Sequence, residues 1–169
     1  MATTAAQSPY TTGLSDREGV IDACLRWSYG IDKGDRSLLA SSMAAEVRLD
    51  LSAYKDKGFD LQDTCATREQ HLDGLLETMG RMDTLHLLSN FRVALLTQST
   101  AEVMCNVQAH HYRLGEGVKT GDRDCFVMAH EYHAALVRDD ISEGSLWRIK
   151  YLKTFPRYVN GDHRIIGLP

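Results

Sequence analysis

The stretch Thr84–Leu114, TLHLLSNFRVALLTQSTAEVMCNVQAHHYRL, decides the fold. Apolar and polar residues alternate through most of it, the two-residue period of a strand with one buried face. Gln98-Ser99-Thr100 interrupts the pattern with turn chemistry, so two long paired strands are predicted, Leu85–Thr97 and Glu102–Leu114. The same period returns in Asp124–Arg138 and Leu146–Phe155, behind the loops LGEGVKTGD and DDISEG. Successive strands of this length form an antiparallel meander that must twist and bend.

Upstream of Asp83 the period is helical. Ser15-Asp16-Arg17-Glu18 has the capping-box spacing, and Val20, Ile21, Cys24, Leu25, Trp27 and Ile31 form the apolar stripe behind it. Gly34 is a natural stop. Asp35 can cap a second, short helix with Leu38, Leu39 and Met43 on its apolar side. Glu46–Tyr54 alternates as a strand, and the polar loop KDKGFDLQD follows. Thr67-Arg68-Glu69-Gln70 is a second capping box, with Leu72, Leu75, Leu76 and Met79 as its stripe.

Segregated helices and a late meander define an α+β class. A long curved sheet with helices across its concave face is a cone, and its open end is a pocket. The expected organisation is a flexible arm over residues 1–14, one domain over 15–160 and a tail over 161–169.

Composition narrows the function classes. Nineteen basic and 23 acidic residues give a net charge of −4, which argues against a nucleic-acid surface. No run of 18 apolar residues is present, so no membrane partner is expected. MATTAAQSPYTTG has neither a basic nor an apolar segment of a secretory signal, so a cytoplasmic protein is expected. Cysteines 24, 65, 105 and 125 form no C-x-x-C pair and read as buried free thiols in a reducing compartment. Glycine-rich nucleotide fingerprints and the G-x-S-x-G elbow are missing. His130-Glu131-Tyr132-His133 is one residue short of H-E-x-x-H, and strand residues 130 and 133 point to opposite faces. Neither a cofactor nor a metal is therefore expected.

The segments ACLRWSYGIDKGD, AAEVRLDLSAY, TLHLLSN and LWRIKYL, in this order, resemble the SnoaL-like group of the NTF2-like superfamily, with scytalone dehydratase the nearest fit. The resemblance runs from Ser15 to Phe155. It implies an NTF2-like cone, three to four N-terminal helices packed on a curved antiparallel sheet. It also implies a cofactor-independent isomerase, cyclase or dehydratase acting on an apolar, oxygenated ring compound of secondary metabolism. The alternative is a non-catalytic ligand-binding or dimerisation module on the same fold.

By motif, the resemblance puts the catalytic aspartate on Asp32 in YGIDKGD and the catalytic histidines on His86 in TLHLL and His111 in AHHYRL. Tyr54 falls where a pocket aromatic is expected. Two tyrosines that hold a water on the substrate carbonyl in the family map onto Ile31 and Leu51, and the pocket asparagine maps onto His133.

Parity divides the strand Asp124–Arg138 into one face with Glu131 and His133 and another with His130 and Tyr132. The resemblance places the Glu131/His133 face inside the cone, making Glu131 a catalytic acid or base and His133 a substrate-binding group. Asn90 shares the parity of His86 and is expected to line the site. Phe126, Met128, Tyr132 and Leu136 then lie outside, and that apolar row predicts a homodimer through the outer sheet face.

Overall fold

A computed structural model describes residues 9–121, 124–138 and 146–167. The arm up to residue 8 and the acidic loop at 139–144 lie outside the described residues. The chain is mixed α+β, with three α-helices and six strands among these residues. The helices are α1 (Asp16–Asp32), α2 (Arg36–Ser41) and α3 (Arg68–Thr78). The strands are β1 (Met43–Asp50), β2 (Asp63–Thr67), β3 (Met82–Leu95), β4 (Thr100–Arg113), β5 (Phe126–Arg138) and β6 (Trp147–Gly161).

Both predicted capping boxes are present, at Ser15/Glu18 and Thr67/Gln70. Asp35 caps α2 by accepting from the Leu38 amide at 2.9 Å. Gly34, at φ +58°, supplies the left-handed residue that lets the chain leave α1 and enter α2 at once. The apolar stripe of α1 lands Val20, Ala23, Cys24, Trp27 and Ile31 in the main core, against β3, β4 and β6. That packing fixes where the C-terminal end of α1, and with it Asp32, meets β3.

The strands form one curved, unclosed sheet in the order β2-β1-β6-β5-β4-β3. The meander β3 to β6 is antiparallel, as expected. The expectation of a wholly antiparallel sheet is corrected by β1, which runs parallel to β6. Strand β2 lies beyond the loop predicted after β1. Most of its residues are exposed, so it carries no alternation, and only pairing with β1 reveals it. Strand β6 continues past Phe155 because Pro156 sits where the β5–β6 register shifts, a bulge that tolerates a missing N–H.

The faces of β5 are the reverse of those expected. Phe126, Met128, Tyr132 and Leu136 are buried in this chain's own core, so they form no outer apolar row. The exposed large apolar residues of the sheet's other face include Leu85, Leu87 and Met104. Beyond β6, His163–Ile166 makes a short 3-10 turn. Ile165 there joins Tyr54, Phe59, Ala109, Phe126 and Met128 in a second apolar cluster at one end of the concave face.

Candidate active site

The last residue of α1 projects its carboxylate onto the start of β3. Asp32 Oδ1 accepts from His86 Nδ1 at 2.6 Å and from Thr84 Oγ1 at 2.8 Å. Its Oδ2 accepts from the His86 backbone amide at 2.9 Å. The side chains of His86 and Asp32 are 4% and 10% exposed. An ionised carboxylate only accepts, so the proton of a neutral His86 ring must sit on Nδ1, leaving a lone pair on Nε2. Burial alone would raise the Asp32 pKa, but the hydrogen bonds and charge of His86, with the Thr84 hydroxyl, hold it below the ordinary aspartate value.

His111 stands on β4 facing Thr84, one strand further into the sheet. Its side chain is fully buried. Nδ1 donates to the Phe126 carbonyl at 2.9 Å, so Nε2 again carries the lone pair. That Nε2 is buried without a hydrogen-bond partner among the described residues. The ring stands at 90° to His86, with centroids 5.8 Å apart. Burial pushes its pKa down to about 4, only partly opposed by the Phe126 carbonyl, so the ring is neutral at pH 7.

Tyr54 reaches this region from the 3-10 turn Ser52–Lys57 and is 2% exposed. Its ring lies edge-on to Phe59 and to His130, with centroids 6.3 and 6.4 Å away. Burial raises its pKa, against a smaller opposing effect of the Thr154 hydroxyl, so the phenol stays protonated and able to donate.

The structure therefore brings Asp32, His86 and His111 together, with Tyr54 in the adjoining apolar cluster. It does not bring Glu131, His133 or Asn90 to them. Glu131 and His133 are on the other face of the sheet, where Glu131 accepts from Arg157 and lies 3.2 Å from His133 Nε2. Arg157, then His133, hold the Glu131 carboxyl below its usual range, as expected for a surface ion pair. Asn90 sits in a β3 irregularity between Ser89 and Arg92 at φ +57°, where it leaves the alternation and is exposed. Asparagine is one of the few side chains that adopts that backbone readily.

One interior residue lies on the face that the resemblance places outside. His130 is 6% exposed, on the same face as His111, and its Nδ1 has no partner among the described residues. Burial, then the charges of His86 and His111, push its pKa down to about 3. The composition of β5 held the signal, because His130 alternates with Phe126, Met128, Tyr132 and Leu136, a more apolar set than the Glu131 face. Over the imidazoles, Phe126 packs on His111, and Phe59 and His163 pack on Phe126, with centroids 6.1–6.5 Å apart.

Among the described residues no group of three His, Cys, Asp or Glu side chains is arranged to hold a metal. A cavity of about 610 Å³ lies elsewhere, along the outer side of α1 between Leu14, Leu25, Tyr29 and Leu38. No helix among the described residues is long and apolar enough to cross a membrane.

An aspartate–histidine pair and further buried, neutral imidazoles on the concave face of an α+β sheet define a candidate acid–base site. The chain belongs to the SnoaL-like domain family, which it matches over residues 12–153. It is 31% identical over 167 residues to the terrestric acid biosynthesis cluster protein E of Penicillium crustosum, covering 99% of each chain. Its fold is similar to that of the Kfla4162 protein from Kribbella flavida, at 17% identity and a TM-score of 0.71, over 86% of this chain and 93% of that one. It is also similar to a putative scytalone dehydratase from Novosphingobium aromaticivorans, at 18% identity and a TM-score of 0.67, over 86% and 87%. A third likeness is to the hexachlorocyclohexane dehydrochlorinase LinA-type3 from Novosphingobium barchaimii, at 19% identity and a TM-score of 0.66, over 90% and 94%.

Proposed function

We propose that the protein is a cofactor-independent acid–base enzyme that isomerises, cyclises or dehydrates an apolar, oxygenated ring compound of secondary metabolism. The observation that carries this reading is the Asp32–His86 pair beside a second buried imidazole with an unpaired Nε2. His86 Nε2 takes a proton from carbon, and Asp32 stabilises the imidazolium that results. The C–H electron pair moves into the substrate as an enolate or a new C=C bond. His86 then returns the proton, to another carbon in an isomerisation or to a leaving oxygen in a dehydration. His111 Nε2 accepts from a substrate hydroxyl, and Tyr54 donates to a carbonyl. The apolar walls exclude water, which strengthens each of these contacts. The names of the relatives support the same class: a biosynthesis cluster protein, a putative dehydratase and a dehydrochlorinase, the last two naming eliminations.

The test uses an extract of a host strain lacking the gene, incubated with purified protein in D2O. One accumulated compound is consumed without added nucleotide, giving either an isomer with deuterium at the carbon that receives the proton or a product lighter by one water. His86→Ala does not convert it. Absence of conversion by the wild type, or equal conversion by His86→Ala, overturns the reading.

A second reading, a non-catalytic binding module on the same fold, is favoured by one feature. Phe59, Phe126 and Ile165 are closely packed beside the imidazoles, as in an interior filled by side chains. Ligand retention in the same extract, without chemical change, would select it. Under either reading we propose the homodimer expected from the sequence, with Leu85, Leu87 and Met104 now the exposed apolar residues of the sheet. Sedimentation at micromolar concentration tests it, and a monomer there removes it.

A further inference from the structure

His130 has no part in the chemistry above, yet it occupies the same interior. Its β5 position pairs with Val107 of β4, one step along the sheet from the pair Ala109–Met128, and His86 faces Ala109 from β3. His86 faces Ala109, His111 follows it two residues along β4, and His130 lies diagonally across from it, so the three imidazoles share one face of the sheet. The Tyr54 and Tyr132 rings flank His130, with centroids 6.4 and 5.1 Å away.

A histidine buried only to fill space usually finds a backbone partner, because an unpaired polar atom in the interior is costly. His71 behaves in that way, with Nε2 2.9 Å from the Val47 carbonyl oxygen. His130 does not, since its Nδ1 is buried and unpaired. His111 Nε2, in the same interior, is unpaired as well. Two imidazole nitrogens without protein partners on one face of the sheet can take two oxygen atoms of one ligand that spans them. His111 Nε2 can only accept, so its partner must be a hydroxyl.

We propose that His130 holds a second oxygen of the substrate, so that the site selects an apolar ring bearing a hydroxyl at His111 and another oxygen at His130. The inference rests on the reading of this interior as the substrate site. It adds a substrate-binding residue and a substrate class to that reading.

Calorimetric titration at pH 7.5 with 4-ethylresorcinol and 4-ethylphenol tests it, since the two probes differ by one ring hydroxyl. The wild type is expected to bind the resorcinol about tenfold more tightly, the worth of one additional buried hydrogen bond. His130→Leu is expected to bind both probes alike, and His130→Gln to keep part of the preference. Ring-nitrogen NMR on the wild-type protein supplies a readout independent of variant folding. The His130 signal should move with the resorcinol and stay in place with the phenol. Equal affinities in the wild type, failure of the wild type to bind the resorcinol, an undiminished preference in His130→Leu, or an unmoved His130 signal would each overturn the proposal. A preference lost in His130→Leu but kept in His86→Ala, together with no turnover in D2O, would leave His130 assigned and remove the acid–base reading instead. Turnover with no resorcinol preference would do the reverse.

Discussion

His86 binds Asp32 twice, through its ring and through its own backbone amide, at 2.6 and 2.9 Å. A carboxylate held by both atoms cannot drift relative to the ring, so the protonated nitrogen and the direction of the other nitrogen are fixed together. Asp32→Asn keeps the size but offers an amide that can donate, which would favour the wrong tautomer of His86. The expected loss in kcat is about 10²–10⁴-fold, with substrate affinity little changed. Rates of the D2O conversion, compared with those of the wild type, measure it.

The same contact sets a pH dependence of stability. The folded-state pKa of Asp32 lies below its ordinary value of about 3.9. Its contribution is therefore complete above that value and is lost as pH falls through the depressed one. The stability gap between wild type and Asp32→Asn should be constant near neutrality and shrink in strong acid. Urea unfolding midpoints of both proteins between pH 2.5 and pH 7 check this. A gap that instead widens below pH 3.9 would place the carboxylate outside the pairing described.

His111 and His130 impose the opposite kind of acid sensitivity. Both are neutral in the folded chain, with pKa values of about 4 and about 3, whereas an unfolded histidine titrates near 6.5. Between those values the unfolded chain binds more protons, so stability falls as pH drops below about 6.5, and each penalty levels off near its folded pKa. His130→Leu should therefore flatten the decline between pH 6.5 and pH 4 by one proton equivalent. Unfolding midpoints across that interval read the slope, and an unchanged slope would mean that His130 is already solvated.

The pattern of the sequence carried the helix caps, the meander and the Asp32–His86–His111 set, because each depends on local spacing or on a motif. The inner face of β5 was not legible in the same way. A strand has a period of two, so one choice of face assigns every side chain on it. Motif resemblance favours Glu131 and His133 as the inner polar groups, while the apolar content of Phe126, Met128, Tyr132 and Leu136 points the other way and equally suits a dimer surface. Burial follows the apolar set. Asn90 was displaced by an irregularity that no alternation announces, and β2 exists only through its pairing with β1.

Glu131 supplies a direct test of that reversal. It lies on the outer face in an ion pair with Arg157 and His133, and a partly exposed pair of this kind contributes at most about 1 kcal/mol. Glu131→Gln should leave kcat/KM within about threefold and should shift the thermal midpoint by no more than a few degrees. A loss comparable to that of His86→Ala would return Glu131 to the site and invert the face assignment of β5.

The last prediction concerns how the helix end is held. Gly30 lies two residues before Asp32, and a Cβ there would stand 2.6–2.7 Å from the Leu39 backbone nitrogen, Cα and Cβ. Those are atoms of α2, and the Leu39 side chain is fully buried, so they cannot swing aside. In an unstrained helix, Gly→Ala would stabilise by roughly 0.5–1 kcal/mol through propensity. Here the overpacking cost of about 1–3 kcal/mol outweighs it, because α1 and α2 must move apart. Gly30→Ala should therefore lower stability. It should also lower kcat, because the separation displaces Asp32 from His86. Leu39→Ala alone would open a cavity and is expected to cost 2–5 kcal/mol by itself. Combined with Gly30→Ala, it leaves all three close atoms in place, because alanine keeps N, Cα and Cβ, so the double variant should not recover wild-type activity. Full recovery of kcat in the double variant would show that the Leu39 side chain, rather than the α2 backbone, sets the approach of the two helices.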